Sequence, residues 1–247
     1  MKEEKINGHM VKYFESIEEM PIMRYHKFNK YLLIESGIGS DVSDVIIHID
    51  RAIKYAEKSP KDAITELINA KQAIRLANEE ISPQNLSFAS LVYEIDSVLM
   101  TDLSDEGLGK VIKILSGERQ GFISRLIEAV KKKTETELNV YFPKLFDDAL
   151  QKEYYDLIRK RALLVLGTIL KKAQEKEVDE VEFQLLMLAR PKNFIGRDSV
   201  EVNYDKQFDK MNLMIQQNTG SDPKTMTVLE YYNAFEYMKE ELKRKKK

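Results

Sequence analysis

The chain contains no cysteine. That absence excludes a disulfide framework and every thiolate metal site, and it fits a reducing compartment. Proline and glycine are scarce, six and ten in 247 residues, which disfavours a turn-rich β fold and favours long helices. Histidine is scarcer: His9, His26 and His48 fall in three different predicted helices with no H-x-x-x-H spacing. A zinc site needs three or four converging ligands, and nothing here makes these three converge. Neither sign of charge dominates, so a net charge of −2 gives no general attraction to nucleic acid or anionic lipid. No segment reaches the roughly 20 apolar residues that cross a bilayer. The first twenty residues hold acids and no apolar stretch, so no secretory signal is expected there.

What is present is helical periodicity. The most apolar stretch, Tyr154 to Ala173, reads YYDLIRKRALLVLGTILKKA. Aliphatic residues on nearly every side of a helix mark one that is surrounded by others. The expectation is therefore an all-α fold of about ten helices, a compact irregular bundle around a buried central helix near 154–173. One domain over 1–247 is expected, with lobes 1–97 and 104–247 as the alternative division, because the periodicity lapses between Val98 and Ser104.

The flanking segments carry local signals of start and stop. In residues 1–20, Val11, Phe14 and Ile17 at three-residue spacing suggest a short amphipathic turn set. Pro21 suits a helix start, and Gly37 and Gly39 suit a left-handed cap and a tight turn. Two antiparallel helices meet at Pro60; the first carries Val45, Ile49, Ala52, Ile53 and Ala56 as one stripe, and the second starts at the proline. Ser82-Pro83 and Ser104 open further helices, with Ser116-Gly117 as a stop. Val200, Val202 and Tyr204 alternate, a strand signal. Thr227 and Glu230 form the T-x-x-E box that starts the last helix.

No stretch carries a catalytic signature. The acid pairs Glu79-Glu80, Asp105-Glu106 and Asp147-Asp148 point about 100° apart on a helix and make no shared site. The glycines at 37, 39, 107 and 109 follow no predicted strand and precede no G-K-[ST]. G-x-S-x-G and H-E-x-x-H are absent from the sequence. No cofactor, metal or catalytic residue is expected. The candidate partner-binding residues are Phe194, Arg197 and Asp198 in the loop before Tyr204, with Tyr231, Tyr237, Lys243 and Arg244 on the closing helix. Lysines 131–133 and 243–247 (with Arg244 among them) read as solvated cations, and a nucleic-acid role for them is the minor reading.

Three stretches together, RYHKFNKYLLIESGIGSD (24–41), YFPKLFDDALQKEYYD (141–156) and PKTMTVLEYYNAFEYMKEELK (223–243), resemble small helical proteins of tailed bacteriophages infecting gut Bacteroidetes. The last of them is similar to the ends of some phage tail-assembly proteins. The resemblance implies a non-enzymatic virion or morphogenesis protein of the tail or head–tail junction. Its partners would be other phage structural proteins or further copies of itself, with no membrane, in the virion or the host cytoplasm. An unrecognised small regulatory enzyme or a nucleic-acid-binding accessory protein is the alternative.

Overall fold

Asn7 and Gly8 both have positive φ, 48° and 86°, the backbone of a type I′ turn, which Asn-Gly adopts at least cost. They join β1 (Lys2–Ile6) to β2 (His9–Tyr13), so the first residues form a hairpin where the sequence reading placed helical turns. A second such turn, Asp96-Ser97, joins β3 (Val92–Ile95) to β4 (Val98–Leu99). β2 pairs antiparallel with β3, giving a four-stranded sheet in the order β1-β2-β3-β4. Ile6, Val11, Tyr13, Val92 and Ile95 are buried in it, while Lys12 Nζ bonds Glu94 Oε1 across the strands at 2.6 Å. In this computed structural model residues 1–78, 82–115, 121–143, 149–170, 175–188 and 190–244 are described. The stop at Ser116-Gly117, the pairs Glu79-Glu80 and Asp147-Asp148, and lysines 245–247 lie outside them.

The rest is helical, ten α-helices among the described residues, so the fold is mostly α. They are α1 (Ile22–Gly37), α2 (Val42–Tyr55), α3 (Pro60–Asn78), α4 (Pro83–Leu91), α5 (Asp105–Leu115), α6 (Phe122–Tyr141), α7 (Ala149–Ile169), α8 (Glu175–Leu188), α9 (Val200–Thr219) and α10 (Val228–Arg244). Several starts are those the sequence announces. Ser82 Oγ accepts from Asn85 N, Ser104 Oγ accepts from Gly107 N, and Thr227 and Glu230 exchange both bonds of a capping box.

The helix surrounded by others is α1, not the 154–173 segment. Only Ser36 of α1 is exposed, and α1 meets α4, α9, α10 and the 3-10 turn Pro223–Thr225. Its burial is hidden in the sequence because two of its buried residues, Arg24 and His26, are polar. Arg24 donates to the carbonyls of Ser90 (2.9 Å), Val92 (2.7 Å) and Met100, tying α1 to the α4–β3 junction and the end of β4. His26 lies between the rings of Tyr204 and Phe208, 4.6 and 3.9 Å away, with Nε2 2.9 Å from Asp205 Oδ1. Burial pulls its pKa down although Asp205 pulls it up.

By contrast, no described side chain of α7 is buried. Tyr155, Ile158, Leu163, Leu166, Ile169 and Leu170 all face outward, and the expectation of a buried central helix at 154–173 is corrected. Only the side carrying Leu157, Leu164 and Thr168 is half-covered, and the main neighbour is α8.

The alternation at Val200, Val202 and Tyr204 is not a strand. Ser199 caps a helix there, its Oγ accepting from Val202 N at 3.3 Å, and these residues form the first turns of α9. Farther along α9, Asn212 is 5% exposed and neither side-chain nitrogen nor oxygen has a partner. Removing an unsatisfied buried amide relieves its desolvation penalty. Asn212→Leu, close in shape, should therefore raise stability by about 1–3 kcal/mol, read as a higher urea midpoint. A lower midpoint would show that the amide is needed where it stands.

One continuous buried cluster runs from Ile6 in the sheet to Met238 in α10. The segments 1–97 and 104–247 both contribute to it.

Candidate functional site

The apolar residues that the core does not use are concentrated on two helical hairpins. On α2, Val42, Ile46, Ile49 and Ile53 recur at steps of four, three and four, and all are exposed, Val42 at 73%. Such spacing puts them on one face. The opposite face, His48, Ala52 and Tyr55, is the buried one, so the expected inward stripe of Val45, Ile49, Ala52, Ile53 and Ala56 is rotated. Of that set Ala52 is buried and Val45 packs half-covered against the core, whereas Ile49, Ile53 and Ala56 are exposed. α3 packs on α2 and leaves Ile64, Leu67 and Ile74 outward.

Two buried groups hold this first hairpin in place. His48 Nδ1 is 2.5 Å from Glu66 Oε2 on α3, and His48 Nε2 is 2.9 Å from the carbonyl of Ile38. Both partners are acceptors, so both ring nitrogens must donate and the imidazolium is the species that fits. Burial works against that charge, but the Glu66 and Ile38 hydrogen bonds outweigh it and raise the pKa. The folded-state value being the higher, this stabilisation is full below about pH 6.5 and is lost as pH rises through the raised value. The stability gap between wild type and His48→Gln should therefore shrink as pH goes from 6 to 9. A gap constant across that range would refute the ion pair.

The second hairpin, α7–α8, joins the first through α8. Tyr55 donates its hydroxyl to the Leu186 carbonyl at 2.5 Å and meets the Phe183 ring edge-on at 6.4 Å. Lys58 Nζ sits 4.4 Å above the same ring. Arg161 of α7 places Nε and Nη2 at 2.9 and 2.7 Å from Glu182 Oε1, and Lys54 approaches the other oxygen at 3.6 Å. The Arg161 bonds hold the Glu182 carboxyl below its ordinary range. Val181 is the buried anchor of α8, which is otherwise half-covered or exposed.

The residues singled out from sequence scatter. Phe194 is buried, its ring over α1 so closely that a Cβ on Gly37 would lie 2.3 Å from Cζ. Gly37 is thus required by packing, and the left-handed turn belongs to Gly39, at φ 70°. Tyr231 is buried too, stacked on Phe208 at 5.9 Å. Phe194 and Tyr231 are packing residues and offer no partner a surface. Arg197, Asp198, Tyr237, Lys243 and Arg244 are exposed, the last paired with Glu241 at 2.9 Å. Among the described residues they lie on other elements than α2 and α7. The apolar faces of α2 and α7 were missed because outward and inward stripes have the same periodicity, and nothing in one sequence says which is which.

Among the described residues no three His, Asp or Glu side chains come together as a metal site, and no helix is long and apolar enough to cross a membrane. Comparison with protein-family models, curated proteins and solved structures gives no match.

Proposed function

We propose that this chain is a non-enzymatic assembly protein that works through helix-mediated contacts, in the head–tail or tail morphogenesis of a tailed bacteriophage. The phage setting comes from the resemblance of residues 24–41, 141–156 and 223–243. The observation that carries the contact mode is the outward aliphatic face of α7, with a second such face on α2. Contiguous exposed apolar faces on a soluble protein mark interaction surfaces. Burying one such leucine or isoleucine contributes about 1.5–3 kcal/mol.

The occupant we favour is a second copy of the chain, with α2 of one lying on α7 of the next. A contact between two different faces is heterologous and propagates into rings or filaments, the geometry a tail or a collar uses. Light scattering across concentration is the test. Wild type should associate, and Leu166→Glu with Ile169→Glu should be monomeric at an unchanged melting temperature. A wild-type chain that stays monomeric throughout sinks the self-association reading. Capture of head or tail proteins by that monomer, lost in the double variant, would instead identify a different phage partner.

A further inference from the structure

We propose that the cleft between the end of α1, the α2–α3 hairpin and residues 190–192 binds a small phosphate monoester. The cleft has a volume of about 390 Å³. That lies within the range of small-molecule sites, roughly 300–1,000 Å³.

Its lining combines cations with one buried, unused acceptor. Arg51 comes from α2, Arg190 and Lys192 from the segment after α8, and Asn69 from α3. The two guanidiniums, from α2 and from the segment after α8, line the same cleft. Arg51 also opposes the charge on His48. Glu66, the one carboxylate in the lining, is already matched by the His48 imidazolium, so it does not cancel the cations. Guanidinium forks suit phosphate oxygens in shape and charge.

Asn69 supplies the second requirement. It is 1% exposed, and its Nδ2 donates to the Lys192 carbonyl at 3.1 Å. That bond fixes the amide orientation, because a flipped amide would set its oxygen against a carbonyl. Asn69 Oδ1 is left buried without a donor. A ligand that matches the cleft is anionic at one end, and one whose O–H reaches this oxygen would satisfy it as well. Sulfate and simple carboxylates carry the charge but no proton to give. A phosphorylated alcohol with a free hydroxyl carries both, and hydrogen phosphate carries both in smaller compass.

Isothermal titration at pH 7.5 and low salt, with glycerol 1-phosphate, inorganic phosphate and sulfate, tests this directly. Both phosphates should bind saturably, the ester more tightly, and sulfate about tenfold or more weakly, the worth of one hydrogen bond to a charged ligand. Arg51→Gln and Arg190→Gln, both surface changes, should each weaken phosphate binding at least about tenfold with the melting temperature unchanged. Tighter binding of inorganic phosphate than of the ester would assign the site to the free ion. No saturable binding of either phosphate, equal sulfate binding, or indifference to both arginine changes would overturn the proposal. None of these outcomes depends on self-association, so this site and the assembly role stand or fall separately.

Discussion

Arg24→Met is expected to leave a protein on the edge of unfolding. The methionine fills the space but donates nothing to the carbonyls of Ser90, Val92 and Met100. Each buried acceptor left bare costs about 1–3 kcal/mol, so three cost roughly 3–9. A domain of this kind has only about 5–15 kcal/mol in total. The guanidinium also sits 5.6 Å from the centre of the Phe14 ring, a contact that is lost too. Arg24→Lys should fall between, because one ammonium cannot serve three carbonyls spread over α4, β3 and the residue after β4. Urea unfolding followed by circular dichroism reads the series. A methionine variant within about 1 kcal/mol of wild type would mean that water replaces the arginine.

The second large effect is expected on α10. Its buried residues are Val228, Tyr231 and Met238, whereas Tyr232 and Phe235 are half-covered. Truncating a buried methionine to alanine costs about 2–5 kcal/mol and a buried aromatic about 3–5. Tyr231→Ala with Met238→Ala should thus remove most of the folding free energy, and the double variant should have no cooperative melting transition. Tyr237→Ala, at a residue 54% exposed, should melt like wild type. A double variant as stable as wild type would show that α10 is a detachable arm and not part of the core.

How much of this was legible varies by element. Helix starts were readable because capping is local: Ser82, Ser104 and Thr227 sit within three residues of the amides they bind. The first hairpin was equally local, with Asn7-Gly8 at its turn, but the three-residue spacing of Val11, Phe14 and Ile17 reads as helical turns. Which helix lies at the centre was not legible. Arg24 and His26 of α1 find their partners 66 and 179 positions away, and no short window contains such pairs. The same holds for Gly37, whose reason is the Phe194 ring. The cleft was invisible for the same cause, since Arg51, Asn69 and Arg190 share no pattern until the chain folds. Aliphatic content in α7 signalled burial, yet among its described side chains only one side is half-covered, by α8; the missing cover is what the association experiment looks for.

The joining of residues 17–22 to 226–229 has a consequence for how the chain is made. Val228 N donates to Met20 O, Leu229 N to Ile17 O, and Ile22 N to Met226 O, all within 3.0 Å. Strand-like bonds of this kind cannot form until both segments exist. About 200 residues separate them, and at roughly 5–20 residues per second a ribosome needs about 10–40 s to cover that distance. For all of that time Ile17, Met20 and Ile22 lack the cover of residues 226–229, and since such exposed apolar surface favours aggregation, slow codons upstream of residue 226 should lower the soluble yield.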